Sequence, residues 1–461
     1  MRRSFPSSRL TPPDRKRAGF VAACQFWRRC FLIYANGMDM MPISPARAMA
    51  QTFLGPLLFA AALAPAAQAQ VSTGAISLQQ VLELVRRDNP EILAARKRWE
   101  AAQKRIVQAA TPEQLRLDIE RRFAPSMSDV IGKPDEKAIS QTLELPFPTV
   151  LYHKHGLAVK DAAMREQSYR AKLLEVAARA RSAYTMLFLA EKGISIYDES
   201  IGIMRRFSKV AESKVAAGRG NQSDALKAQV ELTRMLNMRV TLEQEQETSQ
   251  AMLNALMGRE ARAALGSPQE PSAGVISMNA EELESAALSA RPELREAALA
   301  SERSDGALSL ARAGYLPDMM LQHRQRSDPM RGQTHDVVLG LTLPLWFWKP
   351  AAMVQEAKAE RDMARAELDM ARLSTQADVR IDWSRVRTAR RLLEAYRTTL
   401  LPQAEQSLKV AESGYQSDKI GFLDLLDAQR SLLNFKLEYY QYMAEYEARL
   451  AELERIVGRE L

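Results

Sequence analysis

The chain has 461 residues and only two cysteines, Cys24 and Cys30, both near the N-terminus. None occurs beyond residue 30, which excludes disulfides and thiolate metal sites from the bulk of the chain. Histidine is nearly as scarce, at four residues. No glycine-rich phosphate loop and no nucleophile–base arrangement can be read, so nothing in the sequence calls for an enzyme or a bound cofactor. Beyond residue 69 no apolar run is long enough to cross a bilayer as a helix. Proline is missing from residues 149–267, so nothing there needs to interrupt a helix. Excess charge is missing too. The chain is formally +8, with a pI near 9.4, but residues 1–69 hold 9 basic and 2 acidic residues and leave 55 against 54. The near-neutral remainder excludes a basic nucleic-acid-binding domain.

Residues 1–69 read as a leader. Residues 38–69 have the form of a secretory signal: Arg47, an apolar run from Phe53 to Ala67, then Ala67-Gln68-Ala69. Cleavage is expected after Ala69. Residues 1–37 read as an upstream extension, with Met38, Met40 and Met41 as alternative starts. Gln70, not cysteine, comes directly after the cut, so no lipid anchor is expected there.

The rest of the chain is a duplicated programme. Ser77 with Gln80 has capping-box spacing at a helix start, and Asn89-Pro90 divides one helix from the next. Leu115, Leu117 and Ile119 then alternate with Arg116, Asp118 and Glu120, the period of a strand with one apolar and one charged face. A second strand ends at Pro146-Phe147-Pro148. A helix rich in Ala, Leu, Glu, Lys and Arg runs to about 216, long enough to reach roughly 100 Å. A polar turn at Ala217–Ser223 and a return helix to Met257 complete the unit.

About 200 residues later the unit recurs. Arg291-Pro292-Glu293-Leu294 answers Asn89-Pro90-Glu91-Ile92, and Thr342-Leu343-Pro344-Leu345 answers Thr142-Leu143-Glu144-Leu145. KVAES stands at Lys209 and again at Lys409, and Asp224, Ala228 and Gln229 match Asp424, Ala428 and Gln429. Gly258-Arg259-Glu260 recurs as Gly458-Arg459-Glu460. The repeats are expected at 70–265 and 281–461, with a linker at 266–280. Strands are expected at about 113–122, 137–146, 318–326 and 335–345. Gly202 and Pro402 weaken their helices at equivalent places, which predicts a bend in each half. Met443, Tyr446, Leu450, Leu453 and Val457 carry the 3–4 spacing of a coiled-coil seam.

Four strands cannot close a barrel, and an open edge cannot sit in lipid. If these strands are in a membrane, several chains must share one barrel. The cluster Trp346-Phe347-Trp348 at a strand end suits a membrane-interface belt. A buried aromatic plug beneath the strands is the other reading.

From Leu400-Leu401-Pro402-Gln403-Ala404-Glu405 through Tyr415 to Leu423-Asp424-Leu425-Leu426-Asp427-Ala428-Gln429, the chain resembles the TolC-type outer-membrane efflux proteins. The resemblance covers about residues 75–459. It implies a mainly α fold with a small β part. Three chains would each lend four strands to a twelve-stranded outer-membrane barrel, continued by a periplasmic α-helical barrel that narrows at the tips. It implies a passive duct working with a periplasmic adaptor and an inner-membrane RND-type pump. By the same resemblance Asp424 and Asp427 line the periplasmic gate, with Tyr415 and Asp224 holding it shut by hydrogen bonding. The turns Ala217–Ser223 and Gln416–Phe422 become adaptor-docking surfaces. Family members often carry an arginine where this chain has Ile420.

Ile139-Ser140-Gln141-Thr142-Leu143-Glu144-Leu145 resembles the heavy-metal cation-efflux branch, with metal cations or small toxic compounds as cargo. His153 and His155 lie two apart on a helix and point away from each other, which argues against a shared metal. His323 and His335 can face each other across the second strand pair. The other readings are a periplasmic coiled-coil adaptor or tether, which needs no alternating strands, and the duct of a type I protein secretion system.

Overall fold

The computed structural model describes residues 74–122, 136–271, 274, 276–328 and 332–461. The expected leader at 1–69 and its cleavage point lie outside them. In the first half, helices α1 (Leu78–Asp88) and α2 (Pro90–Ala110) lead into strands β1 (Arg116–Arg122) and β2 (Glu136–Leu145). The 69-residue α3 (Pro148–Ala216) and its return helix α4 (Gln222–Leu256) come next. The second half repeats this order with α5 (Ala280–Ala290), α6 (Pro292–Ala313), β3 (Asp318–Asp328) and β4 (Gly332–Thr342). It ends with α7 (Trp348–Ala395), a π-turn (Tyr396–Leu400), α8 (Leu401–Gln416) and α9 (Phe422–Val457).

Local chemistry sets the boundaries. Ser77 and Gln80 form a reciprocal capping box, Gln80 N–H donating to Ser77 Oγ (3.3 Å) and Ser77 N–H to Gln80 Oε1 (3.1 Å). Asn89 caps α2, its side chain accepting from the N–H groups of Glu91 and Ile92. The return helices α4 and α9 stop at Gly258 and Gly458, both left-handed (φ 69° and 83°). Neither glycine has room for a side chain. A Cβ would lie 2.6 Å from Asp88 O at Gly258 and 2.8 Å from Ala290 O at Gly458. Each return helix therefore seats against the carbonyl just before the α1–α2 or the α5–α6 break.

The helices pack in three large apolar clusters, with a smaller fourth joining α6 to α7 through Leu308, Ala311 and Ala357. One joins α1 to α3 and α4 around Val81, Val85, Tyr184 and Leu253. Its counterpart joins α5 to α7 and α9 around Leu283, Val379, Leu453 and Val457. The third joins α3, α4, α8 and α9 toward their far ends, through Met204, Met235, Tyr415, Phe422 and Leu425. All five residues of the expected seam on α9 are buried. The 266–280 segment straps across this body. Ile76 pairs with Pro268 in a parallel bridge. The Tyr184 hydroxyl lies 2.9 Å from Ile76 O and 2.8 Å from Gln269 O, and the Tyr446 hydroxyl donates to Gly274 O.

The two halves differ at 202 and 402. Pro402 has no N–H for Thr398 O, and the ladder shifts: Leu401 N–H reaches back five residues to Tyr396 O. Gly202 keeps its N–H, and α3 runs through it as unbroken α-helix. Of the two places where a bend is expected, only the second thus carries a break in the α-helical ladder. Helix α7 also begins at Trp348, so the aromatic cluster runs into its first turn, where Pro350 costs no hydrogen bond.

Gly258→Ala and Gly458→Ala are each expected to lose about 2 kcal/mol or more, by clash and strain together. Gly202→Ala, with nothing within 4 Å of its Cβ, is expected to gain about 0.5–1 kcal/mol. Thermal unfolding of the three variants checks the contrast.

Candidate functional site: an inverted sheet and two helical tips

The four strands form one antiparallel sheet in the order β1-β2-β3-β4. The central pairing, β2 with β3, joins the two halves, with Leu143 opposite Leu321 and Gln141 opposite His323. Residues opposite one another share a face, so the register sorts every side chain. One face carries Leu117, Ile119, Ile139, Leu143, Leu321, Val337, Leu339 and Leu341. The other carries Asp118, Glu120, Ser140, Thr142, Gln322, Arg324, Arg326 and Asp336. On the polar face Gln322 Nε2 donates to Thr142 Oγ1 (3.0 Å), and Arg326 pairs with Glu136 (2.7 Å).

The sheet is inside out by the standards of a water-soluble protein. On β2 the small residues Ala138, Ser140 and Thr142 are buried, while Ile139 is exposed. On β4 Val337, Leu339 and Leu341 are 67–81% exposed. Trp346, Phe347 and Trp348 continue this surface beyond β4, each about two-thirds exposed, with the two indoles 5.2 Å apart. In this chain they are not a buried plug. No helix among the described residues is long and apolar enough to cross a membrane.

The tips lie at the far ends of α3 and α8–α9. Turns 217–221 and 417–421 correspond in the repeat, and both place a left-handed residue second, Gly218 (φ 72°) and Asp418 (φ 57°). Asp424 is exposed in the first turn of α9, where its Oδ2 accepts from Gly421 N–H (3.1 Å). It thus satisfies one free donor of its own helix and sits favourably at the positive end of the dipole. Asp427 is exposed one turn further on, on the same side of α9. Tyr415 is buried against Phe422, ring centroids 5.7 Å apart. Burial pushes its phenol up, and the nearby carboxylates of Asp224 and Asp418 add to the shift. Asp224 is half-buried, with Lys227 Nζ 3.9 Å from Oδ1. Within the described chain no hydrogen bond joins Tyr415 to Asp224.

Within one chain another contact links the two tips. Lys214, at the end of α3, donates to Tyr415 O and to Asp418 Oδ1. Its Nζ also stands 4.1 Å from the centre of the Tyr415 ring. Two turns from the tip, Arg430 on α9 forks onto both oxygens of the buried Glu231 on α4. A shallow groove between α8 and α9 is lined by Gln406, Val410, Ile420, Asp424 and Ala428. The repeat hides Lys214 and Asp418, because their counterparts are Gly414 and Gly218. Only their mismatch within matching flanks marks them.

A sequence profile described as "Outer membrane efflux protein" matches residues 81–259 and 283–459, the two halves of the repeat. The chain belongs to the outer membrane efflux protein family. It is 23% identical over 445 residues to the cobalt-zinc-cadmium resistance protein CzcC of Cupriavidus metallidurans, covering 94% of this chain and all of that one. A membrane protein from Pseudomonas aeruginosa superimposes with a TM-score of 0.73 at 19% identity, over 83% of this chain and 90% of the other. CusC, a protein described as forming a transmembrane channel, superimposes with a TM-score of 0.72 at 15% identity, over 83% and 92%. The inverted sheet is thus the outer-membrane part of this efflux channel protein, and the long helices are its periplasmic part.

Outside the sheet and tips, one titratable cluster stands out in the helical body. Arg181 on α3 pairs with Glu454 on α9. One turn-pair earlier on α9, Glu447 is buried, and its Oε1 has no hydrogen-bond partner. Burial pushes the Glu447 carboxyl up to about 7; Arg181 opposes this and Glu454 adds to it. The folded state therefore favours the protonated acid. The stability this gives is complete below the ordinary carboxyl range and is lost as pH rises toward 7. Glu447→Gln is expected to stabilise the protein at pH 8 by about 2 kcal/mol, with the gain vanishing below about pH 4. Unfolding of both proteins across that range is the measurement.

Proposed function

We propose that three copies of this chain form a passive export duct for metal cations or small toxic compounds, from periplasm to exterior. The observation that carries the reading is the inverted sheet with two bare edges. β1 and β4 each have one unpaired side among the described residues, and the outward face is apolar. Lipid cannot satisfy the free backbone groups, so β4 of one copy pairs with β1 of the next. Three copies of four strands make a closed barrel of twelve, with the charged face inside. The mature chain starts at Gln70, and Trp346, Phe347 and Trp348 form the periplasmic-side interface belt.

Several observations favour cations. The inward face presents Asp118, Glu120, Glu136, Glu144, Asp318 and Asp336 against Arg116, Arg324 and Arg326, an acidic lining. Similarity to a cobalt-zinc-cadmium resistance protein along 94% of the chain supports metal cargo. At the other end, three copies of Asp424 and Asp427 ring the periplasmic gate. Crowded carboxylates repel, and a bound cation or an opening motion relieves that repulsion. Tyr415 and Asp224 stand behind them, and Lys214 ties one tip to the other. The tip turns and the α8–α9 groove receive a periplasmic adaptor, which joins the duct to an inner-membrane RND-type pump. A tether has no use for a sheet with its apolar face outward.

The mature protein reconstituted in a planar bilayer is expected to give cation-selective conductance blocked by multivalent cations from the periplasmic side. Asp424→Asn with Asp427→Asn should weaken that block by roughly tenfold or more. Block equal to wild type would remove these residues from the constriction, and absence of conductance would sink the duct. Deletion combined with a metal and drug sensitivity panel decides the cargo.

A further inference from the structure

The outward face of the sheet is interrupted by a compact polar island. The register places Gln141 opposite His323 on one rung, and Gln325 opposite His335 on the next. Leu321 and Leu339 lie on the adjoining rung of the same outward face, and Val337 and Ile139 on the same two rungs. Polar groups on a lipid-facing surface are costly and mark function more often than packing. The two histidines meet across the β3–β4 hairpin as a diagonal pair. Their rings are within 13° of parallel, with centroids 5.6 Å apart. His335 Nδ1 lies 3.4 Å from His323 Nε2.

That separation has a chemical meaning. Two imidazole nitrogens bound at about 2.0–2.1 Å to one tetrahedral ion stand roughly 3.3–3.4 Å apart. The hairpin already holds the two atoms at chelating distance, and rotation about the side-chain torsions turns their lone pairs toward a common point. In the tautomers that leave these two nitrogens without a proton, both lone pairs are free for an ion.

We propose that His323 and His335 form a two-histidine site for a borderline divalent cation of the zinc, cobalt or nickel class. Water fills the remaining positions, and the side-chain carbonyls of Gln141 and Gln325 border the site. The ion staples β3 to β4 on the outside of the barrel, apart from the duct and its cargo path. The rung toward the loop end carries Arg121, Lys137, Ser327 and Gln333. The site therefore lies about 7 Å along the strand from the polar edge of the sheet and within reach of ions in the headgroup region. Few other imidazole or thiolate ligands compete with it. Its other two histidines, His153 and His155, are on α3, and both cysteines lie before residue 31.

The test uses the purified, untagged mature chain in detergent, titrated with Co²⁺ by its visible absorption and then competed with Zn²⁺. Wild type is expected to bind about one ion per chain. His323→Gln and His335→Gln should each weaken this imidazole-bound site by roughly tenfold or more, and the double variant should lose its Co²⁺ absorption band, leaving only the carboxylates of the gate to hold cations. His153→Gln with His155→Gln should bind like wild type. A wild type that binds no Co²⁺, or a double variant that binds equally well, overturns the proposal. A second measurement needs no variant. Zn²⁺ should protect His323 and His335, but not His153 and His155, from diethyl pyrocarbonate, read by peptide mass. Equal labelling of all four with and without Zn²⁺ overturns it as well.

Discussion

Backbone left unpaired, among the described residues, on the two edges of a four-stranded sheet governs the rest of this molecule. In water such edges are an aggregation hazard; in hydrocarbon they are not tolerated at all. This sheet turns its leucines and valines outward and its carboxylates, guanidinium groups and hydroxyls inward. In the proposed trimer the edges pair with one another and vanish, and the polar faces line a shared passage. The helices then need to supply only a wall, which is why most of the chain is helical and no helix among the described residues is apolar enough to span a bilayer.

The duplication supplies that wall economically. Each half provides a helical run of roughly 100 Å, a tip and a return helix, and each return ends on a left-handed glycine seated against a carbonyl. The halves are not copies in chemistry. Pro402 shifts the second half into a π-turn whose Tyr396 hydroxyl reaches Glu438 on α9 (2.7 Å), while α3 stays α-helical through Gly202. The second tip keeps two exposed aspartates, whereas the first has Asp224 next to Lys227. Lys214 of the first half crosses to the backbone and carboxylate of the second tip. In the proposed duct the two tips therefore differ in charge and in contacts.

Much of this was legible in the amino-acid order because its signals are local. Alternation at Leu115–Glu120, the Ser77–Gln80 box, the Asn89-Pro90 and Arg291-Pro292 breaks and the seam from Met443 to Val457 each depend on neighbours within one or two turns. Strand ends were less legible. β4 runs from Gly332 to Thr342, not 335 to 345, because the partner strand β3 decides where pairing stops. The acidic tip residues could be named from resemblance. That Asp424 spends one oxygen on Gly421 N–H could not be, since it depends on the turn geometry.

The sequence alone determined the main elements, their duplication, the apolar and charged faces of the first strand and the family, because periodicity and repeat spacing are properties of the chain itself. Only the tertiary structure decided what meets across long separations. Lys214 with Tyr415 and Asp418, Arg430 with Glu231, Arg181 with Glu454 beside the buried Glu447, and the diagonal His323–His335 pair all join residues whose approach is set by helix packing or strand register. A shift of one residue in that register would turn every strand side chain to the other face, and no local pattern records which register the folded sheet adopts.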